Sequence, residues 1–419
     1  MFLWRILRQA YIRCISPQTA CLLNCNPAAI SFPPVQDFPD IACQETSFAL
    51  SLAAQHLNQR HVVVFPTETV YGLGALALDP QASAKIFATK GRPADNPLIV
   101  HVSSLTMLHS LLPKGYQPCP AYQALMKHFW PGALTLLFPR DPNVIPSIIT
   151  AGQPSVAVRM PSHPVARALI AVTKAPLAAP SANTSGKPSP TKAEHVLLDL
   201  NTKVPLILDG GPCDVGLEST VVDGLHDDGN IRVLRPGGVT VEDIERVLRL
   251  ELAEDKTCVL PQVLVHKRDY RDEAMEQAPT TPGMKYRHYS PSVPVTLLHT
   301  STPPPLGQHA FSATSFISTL HTAGSVKSKV GVLAPVDSRL WESINIEDKV
   351  EWHKYSLGTA AEPSVTAQRL FDGLLTLEQE GVDLILIEEI SEEREGLAVM
   401  NRVRKAAGEC KWVTYGSCE

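Results

Sequence analysis

His61-Val62-Val63-Val64-Phe65-Pro66 runs directly into Thr67-Glu68-Thr69-Val70-Tyr71-Gly72-Leu73-Gly74. The first half is short, β-branched and closed by a proline, which predicts a buried strand. The second half puts hydroxyls and glycines where that strand ends. Backbone can approach a ligand closely at glycine, so such a stretch suits the crevice at the carboxyl end of an α/β sheet. Taken alone, it is better described as an ordinary glycine-rich turn.

Outward from this stretch, Asp79-Pro80 predicts a helix start. Asp79 can cap free N–H groups, and Pro80 suits the first turn. That helix runs toward Lys90 and stops at Gly91. Further strands are expected over 98–102, 134–138, 155–158, 205–208 and 219–222, with helices over 165–172 and 241–250. The alternation predicts an α/β protein with a twisted mixed sheet. Residues 252–292 are polar without clear periodicity and read as a linker. Strand-like runs at 293–298, 329–333 and 382–387, with a helix over 365–379, describe a second, smaller α/β (Rossmann-like) domain. Its residues 301–328, rich in Ser, Thr, Pro and Gly, predict a mobile loop. The expected division is 1–45 as an arm outside the fold, 46–251 as the first domain, 252–292 as linker and 293–419 as the second domain.

A chain of 419 residues suits two domains. Lys+Arg 37 against Asp+Glu 42, a net charge of −5, argues against a protein held on nucleic acid by bulk charge. The nine cysteines show no zinc spacing and no disulfide framework, which fits a reducing compartment. No stretch of about 18 apolar residues appears, so no membrane partner is expected. Before Asp37 there is no acidic residue, while Arg5, Arg8 and Arg13 stand beside Leu3, Trp4, Leu7 and Tyr11. That composition fits a mitochondrial presequence or a disordered arm equally. The expected compartment is the cytoplasm, with a mitochondrial pool under the first reading.

Three more polar clusters interrupt the apolar runs. In Lys90-Gly91-Arg92-Pro93-Ala94-Asp95-Asn96-Pro97, two cations flank a helix-ending glycine and can converge on one anion. They equally suit two solvated charges at a helix carboxyl terminus. His101, within an apolar run, is more often a satisfied core histidine than a ligand. Ala179-Pro180-Ser181-Ala182-Asn183-Thr184-Ser185-Gly186-Lys187-Pro188-Ser189 offers hydroxyls and amides to phosphate or ribose, or is a plain surface loop. Gly216-Leu217-Glu218-Ser219-Thr220 joins Arg232-Val233-Leu234-Arg235-Pro236-Gly237-Gly238, where Arg235 precedes a helix amino terminus. Ser185-Gly186-Lys187-Pro188 is no Walker loop. Gly72, Gly74 and Ala77 fit the dinucleotide pattern weakly, because the helix begins only at Pro80.

Together the clusters resemble the YrdC-like domain of the threonylcarbamoyl-AMP synthase family. The stretches that carry the resemblance are FPTETVYGLG (65–74), KGRPADNPLIVHV (90–102), WPGALT (130–135), SVAVRMPSHP (155–164), APSANTSGKPSPT (179–191), GLESTVVD (216–223) and LRPGG (234–238). TPGMKYRHYSP (281–291) is similar to the linker of the two-domain members, and EGLAVMNR (395–402) to their carboxyl-terminal domain. The resemblance implies that ATP, L-threonine and bicarbonate or carbon dioxide are substrates and Mg2+ the cofactor. Pyrophosphate is released, and a separate transferase passes the threonylcarbamoyl group to tRNA.

The resemblance also assigns residues. Thr69, His101, Arg159, Ala179 and Ser219 fall where the family holds threonine. Lys90, Arg92, Asn96, Ser155, Ser181, Asn183, Ser189, Arg235 and Tyr289 fall where ATP is held or covered, and no side chain is assigned to metal. Ser155 departs from the expected threonine but keeps the hydroxyl. The 301–328 loop has no clear family counterpart.

The implied chemistry needs no nucleophile triad. Threonine's amine adds to carbon dioxide, and the resulting carbamate attacks the α-phosphorus of ATP. Lys90, Arg92, Arg235 and Mg2+ would offset the repulsion between two anions. Arg159 is the expected partner of the threonine carboxylate. His101 either bonds a threonine oxygen or keeps the amine deprotonated. Three rivals differ in class: a carbamoyltransferase of the same superfamily, an RNA-binding translation factor contacting tRNA or double-stranded RNA, and a nicotinamide dehydrogenase resting on Gly72, Gly74 and Ala77.

Overall fold

A computed structural model describes residues 19–34, 36–253, 260–272, 277, 279–281, 288–320, 328–344 and 350–415. Arg5, Arg8 and Arg13 of the presequence-like stretch, and 282–287 of the expected linker, lie outside the described residues. The chain divides into two compact units, one through residue 285 and one from 286, the second also taking in 186–188 and 215–217.

The strands of the first unit are β1 (Cys21–Asn24), β2 (Ile30–Ser31), β3 (Asp40–Ile41), β4 (Val63–Phe65), β5 (Gly72–Leu76), β6 (Val100–His101), β7 (Leu134–Pro139), β8 (Ser155–Arg159), β9 (Leu177–Ala178), β10 (Leu206–Asp209), β11 (Thr220–Asp223), β12 (Ile231–Arg235) and β13 (Val263–Val265). Eleven form one mixed sheet in the order β1-β10-β4-β5-β9-β6-β8-β7-β11-β12-β13, and β2 pairs with β3. The helices that bear on the site are α1 (Gln44–Asn58), α2 (Pro80–Lys90), α3 (Pro164–Thr173), α4 (Ala193–Leu200) and α5 (Val241–Leu252). Leu50, Ala53 and Leu57 of α1 pack with Val165, Leu169 and Ile170 of α3 over β4 and β10, burying the apolar stripes of both helices. Helix α2 begins as its sequence predicts: Asp79 Oδ1 accepts from the N–H of Gln81 at 2.9 Å and of Ala82 at 3.1 Å. It ends at Gly91, whose φ of +60° is the left-handed region that glycine enters freely.

Three expectations are corrected here. Residues 1–45 do not all lie outside the fold: β1 runs parallel to β10, with Cys21 opposite Leu206 and Asn24 opposite Asp209. Four residues leave almost no periodic signal, and the acid-free composition around them masked the strand. Residues 252–292 are not all linker, because Val263–Val265 pairs with Ile231, Arg232 and Val233 of β12 and extends the sheet. Finally, Gly72 and Gly74 lie within a strand and not in a strand-to-helix turn. A Cβ on Gly74 would come 2.5 Å from Phe65 Cε1, so glycine makes room for a ring on the neighbouring strand. The dinucleotide reading loses its basis.

The second unit is an all-parallel sheet of β14 (Val295–His299), β15 (Phe311–Ser312), β16 (Ser328–Ala334), β17 (Val350–Ser356), β18 (Leu384–Glu388) and β19 (Glu409–Thr414). Its order is β15-β19-β14-β18-β16-β17. Helices α6 (Ala313–Thr319), α7 (Pro363–Gln379) and α8 (Glu395–Ala406) accompany it. The expected mobile loop is therefore partly ordered by β15 and α6, with Ser312 Oγ accepting from Ser315 N. Residues 321–327 lie outside the described part. No described helix is long and apolar enough to cross a membrane.

Candidate active site

The four polar clusters of the first unit are bonded to one another. After β4, Thr67 Oγ1 donates to the carbonyl of Val70 at 2.6 Å and accepts from its N–H at 3.2 Å, closing the turn internally. This first cluster is laced to the third by main-chain bonds: Tyr71 N to Pro190 O, Ala182 N to Tyr71 O and Leu73 N to Pro180 O, each 2.8 Å. The second cluster meets the third through Lys90. Its Nζ donates to Ser181 O at 2.5 Å and Asn183 O at 2.6 Å, and lies 3.5 Å from Asn183 Oδ1. Ser189 Oγ donates to Glu218 Oε1 at 2.6 Å and joins the third cluster to the fourth. Arg235 Nη2 donates to Ser219 O at 2.8 Å, and Ser219 Oγ lies 2.7 Å from Thr135 Oγ1.

Two groupings follow from these bonds. Thr69, His101 and Arg159 stand together: His101 and Arg159 are neighbours across β6 and β8, and Arg159 Nη1 donates to Thr69 Oγ1 at 2.8 Å. Ala179 adjoins them, its N–H donating to Ile99 O at 3.1 Å. Lys90, Ser181, Asn183, Ser189, Glu218, Ser219 and Arg235 form the second grouping. Arg92 has turned onto its own loop, with Nη2 donating to Asn96 Oδ1 and Pro97 O, each at 2.7 Å.

Ser155 and Tyr289 are the remaining assigned residues. Ser155 begins β8 and Arg159 ends it, about 13 Å apart by strand rise. Tyr289 belongs to the second unit, 5% exposed at a φ of +66°. Its ring centroid lies 5.2 Å from that of Phe371 and 5.8 Å from the Arg402 guanidinium.

Burial sets the charges. It lowers the Lys90 ammonium well below its ordinary value, and the Arg92 guanidinium lowers it further. Burial, then Arg159, pushes His101 down to about 3, although the carbonyls of Ile99 and Leu177 favour the charged ring. Nδ1 of His101 faces the Ile99 carbonyl at 3.2 Å. A carbonyl only accepts, so this contact favours a proton on Nδ1. Burial opposes ionisation of Glu68, yet Arg159 and the surrounding donors hold its carboxyl below the ordinary value.

Glu68 and Glu218 received no role in the sequence reading, and the structure makes both central. The available signal was a carboxylate among hydroxyls in an apolar setting, which requires a cationic or donor partner. Among the described residues no group of three or more His, Cys, Asp or Glu could hold a metal ion. A groove of about 830 Å³ along Phe32, Leu105, Met126, Trp130, Met160 and Arg167 is lined by none of the residues assigned to threonine or ATP.

The chain is similar to known proteins over most of its length. The family described as telomere recombination (Sua5_yciO_yrdC) matches residues 55–237, and the one described as threonylcarbamoyl-AMP synthase, C-terminal domain, matches 239–408. The threonylcarbamoyl-AMP synthase of Schizosaccharomyces pombe is 43% identical over 384 residues, covering 87% of this chain and 89% of that protein. That of Bacillus subtilis is 42% identical, covering 86% and 93%. The crystal structure of Pyrococcus abyssi Sua5 complexed with L-threonine superposes with a TM-score of 0.70 at 34% identity, covering 94% of this chain and 99% of that one. The chain belongs to the threonylcarbamoyl-AMP synthase family.

Proposed function

We propose that the first unit joins L-threonine, bicarbonate or carbon dioxide, and ATP into L-threonylcarbamoyl-AMP, releasing pyrophosphate. The observation that carries this is the hydrogen-bonded union of four cation- and hydroxyl-bearing clusters. Such a site suits a reaction in which the substrates supply the nucleophile and the protein supplies position and charge.

In this reading Arg159 receives the threonine carboxylate beside Thr69 and Ala179. His101, neutral at physiological pH, offers its ring to the amine or the hydroxyl. With a value pushed down to about 3, it is a weak base, which favours binding over proton abstraction. The carbamate oxygen then displaces pyrophosphate from the α-phosphorus. Arg92 and Arg235 spread the charge on the phosphates, and Ser181, Asn183 and Ser189 hold phosphate or ribose oxygens. Mg2+ supplies further charge neutralisation when it enters with ATP. Its preference for phosphate oxygens and water needs no preformed protein cage.

The product passes to a separate tRNA-modifying transferase, in the cytoplasm or also in mitochondria. Pyrophosphate release with threonine or bicarbonate omitted in turn tests the reading. Release must fall to background in both omissions; release that ignores threonine would refute it.

A further inference from the structure

We propose that Asp199 is a positioning residue of the nucleotide site: from α4 it clamps Thr184 and, opposite Lys90, fixes the 181–184 segment before ATP arrives. This rests on the assignment of Ser181 and Asn183 to ATP. The segment lies between β9 and α4, outside any helix or named strand, so its shape depends on what pins it.

Three pins act on different residues. Lys90 takes the carbonyls of Ser181 and Asn183 with Nζ, and its own carbonyl accepts from Ser185 N at 2.9 Å. The carbonyl of Tyr71 accepts from Ala182 N at 2.8 Å. Asp199 brings both carboxylate oxygens to Thr184: Oδ2 accepts from its N–H at 2.5 Å, and Oδ1 from its Oγ1 at 3.0 Å. A carboxylate holding a main-chain N–H is a charge-assisted bond, stronger than its neutral counterpart. The two anchors also favour each other, since the Asp199 charge supports the ammonium of Lys90 against burial. Removing Asp199 takes away the acceptor of the Thr184 N–H and leaves its hydroxyl the longer contact from Lys203 Nζ at 3.4 Å.

The full-length chain carrying Asp199→Ala tests this. The KM for ATP is expected to rise about tenfold or more while the threonine KM stays within about twofold, the scale of a slightly misplaced binding group. In ligand-free protein, deuterium uptake in peptides spanning 181–185 should accelerate, with the rest of the first unit unchanged. Asp199→Asn, able to accept from the N–H and donate to the hydroxyl, should recover most of the ATP affinity. Thr184→Val removes the hydroxyl's contacts with Asp199 and Lys203 but keeps the N–H bond, and should shift both readouts in the same direction by less, so it serves if Asp199→Ala does not fold.

An unchanged ATP KM with unchanged uptake overturns the proposal. So does a parallel rise in both KM values with faster uptake throughout the unit. Should the wild-type protein itself show no threonine-dependent pyrophosphate release, the proposed function fails, while deuterium uptake still reads the clamp.

Discussion

Arg159 Nη2 lies 2.6 Å from Glu68 Oε1, with side chains only 5% and 8% exposed. The same guanidinium donates from Nη1 to Thr69 Oγ1 and from Nε to Gly132 O at 3.1 Å. Three protein groups therefore fix the cation assigned to the threonine carboxylate. Glu68 offsets its charge in a place where an unpaired guanidinium would be costly.

Replacing Glu68 by Gln leaves that guanidinium buried without its counter-charge. Losing one partner of a buried pair costs about 3 kcal/mol or more, so Glu68→Gln should lower unfolding free energy by that order. Adding Arg159→Met removes the stranded charge, and the double variant should be less destabilised than the two singles summed, by about 1 kcal/mol or more. Denaturant unfolding of the four proteins measures this. Simple additivity would show that the pair is not coupled.

His101 gives a pH signature. The unfolded chain takes up this proton near pH 6.5, the folded protein only near 3. Between those values the unfolded state binds more protons, so the contribution to stability is complete above about 6.5 and falls as pH drops toward 3. His101→Gln should flatten the dependence of unfolding free energy on pH across that window. In nitrogen-15 NMR of the wild type, the His101 ring should stay neutral from pH 8 to 5. An inflection near 6.5 assigned to this ring would contradict the buried neutral state.

Lys90 and Arg92 act on the same segment and loop in different ways. Lys90 holds the carbonyls of Ser181 and Asn183, and Arg92 holds its own loop through Asn96 and Pro97. Either alanine variant should cut adenylate formation at least about a hundredfold, the scale of one lost preorganised charge contact. Pyrophosphate release in single turnovers checks it, and wild-type rates in either variant would retire the assignment.

How far the sequence could be read depended on element length and on partners distant in the chain. Asp79, Pro80 and Gly91 mark both ends of α2 because caps are local chemistry. Val263–Val265 and Cys21–Asn24 carry no comparable mark, since a three- or four-residue edge strand is defined by the strand it meets. The site shows the same contrast. Lys90, Arg92 and Arg235 were legible as cations beside glycines. That Lys90 would spend its ammonium on the carbonyls of residues 181 and 183 follows only from tertiary packing. Glu68 was visible within its motif, but its role required knowing that β8 delivers Arg159 beside it.

Gly237 ties the fold to the site most directly. A Cβ added there would come within 3 Å of Glu218 O, Ser219 C and Thr220 N, all main-chain atoms that cannot rotate away. Those atoms belong to the segment whose Ser219 carbonyl receives Arg235 and whose Glu218 receives Ser189. Gly237→Ala should therefore cost about 1–3 kcal/mol of stability, as overpacking does. It should also lower kcat/KM about tenfold or more for both threonine and ATP, because Ser219 and Arg235 are pushed off position together. Denaturant unfolding and steady-state kinetics with each substrate varied give the two readouts. Loss of stability with both kcat/KM values intact would mean that the 218–220 segment yields without carrying Arg235 along, and that the contact is structural only.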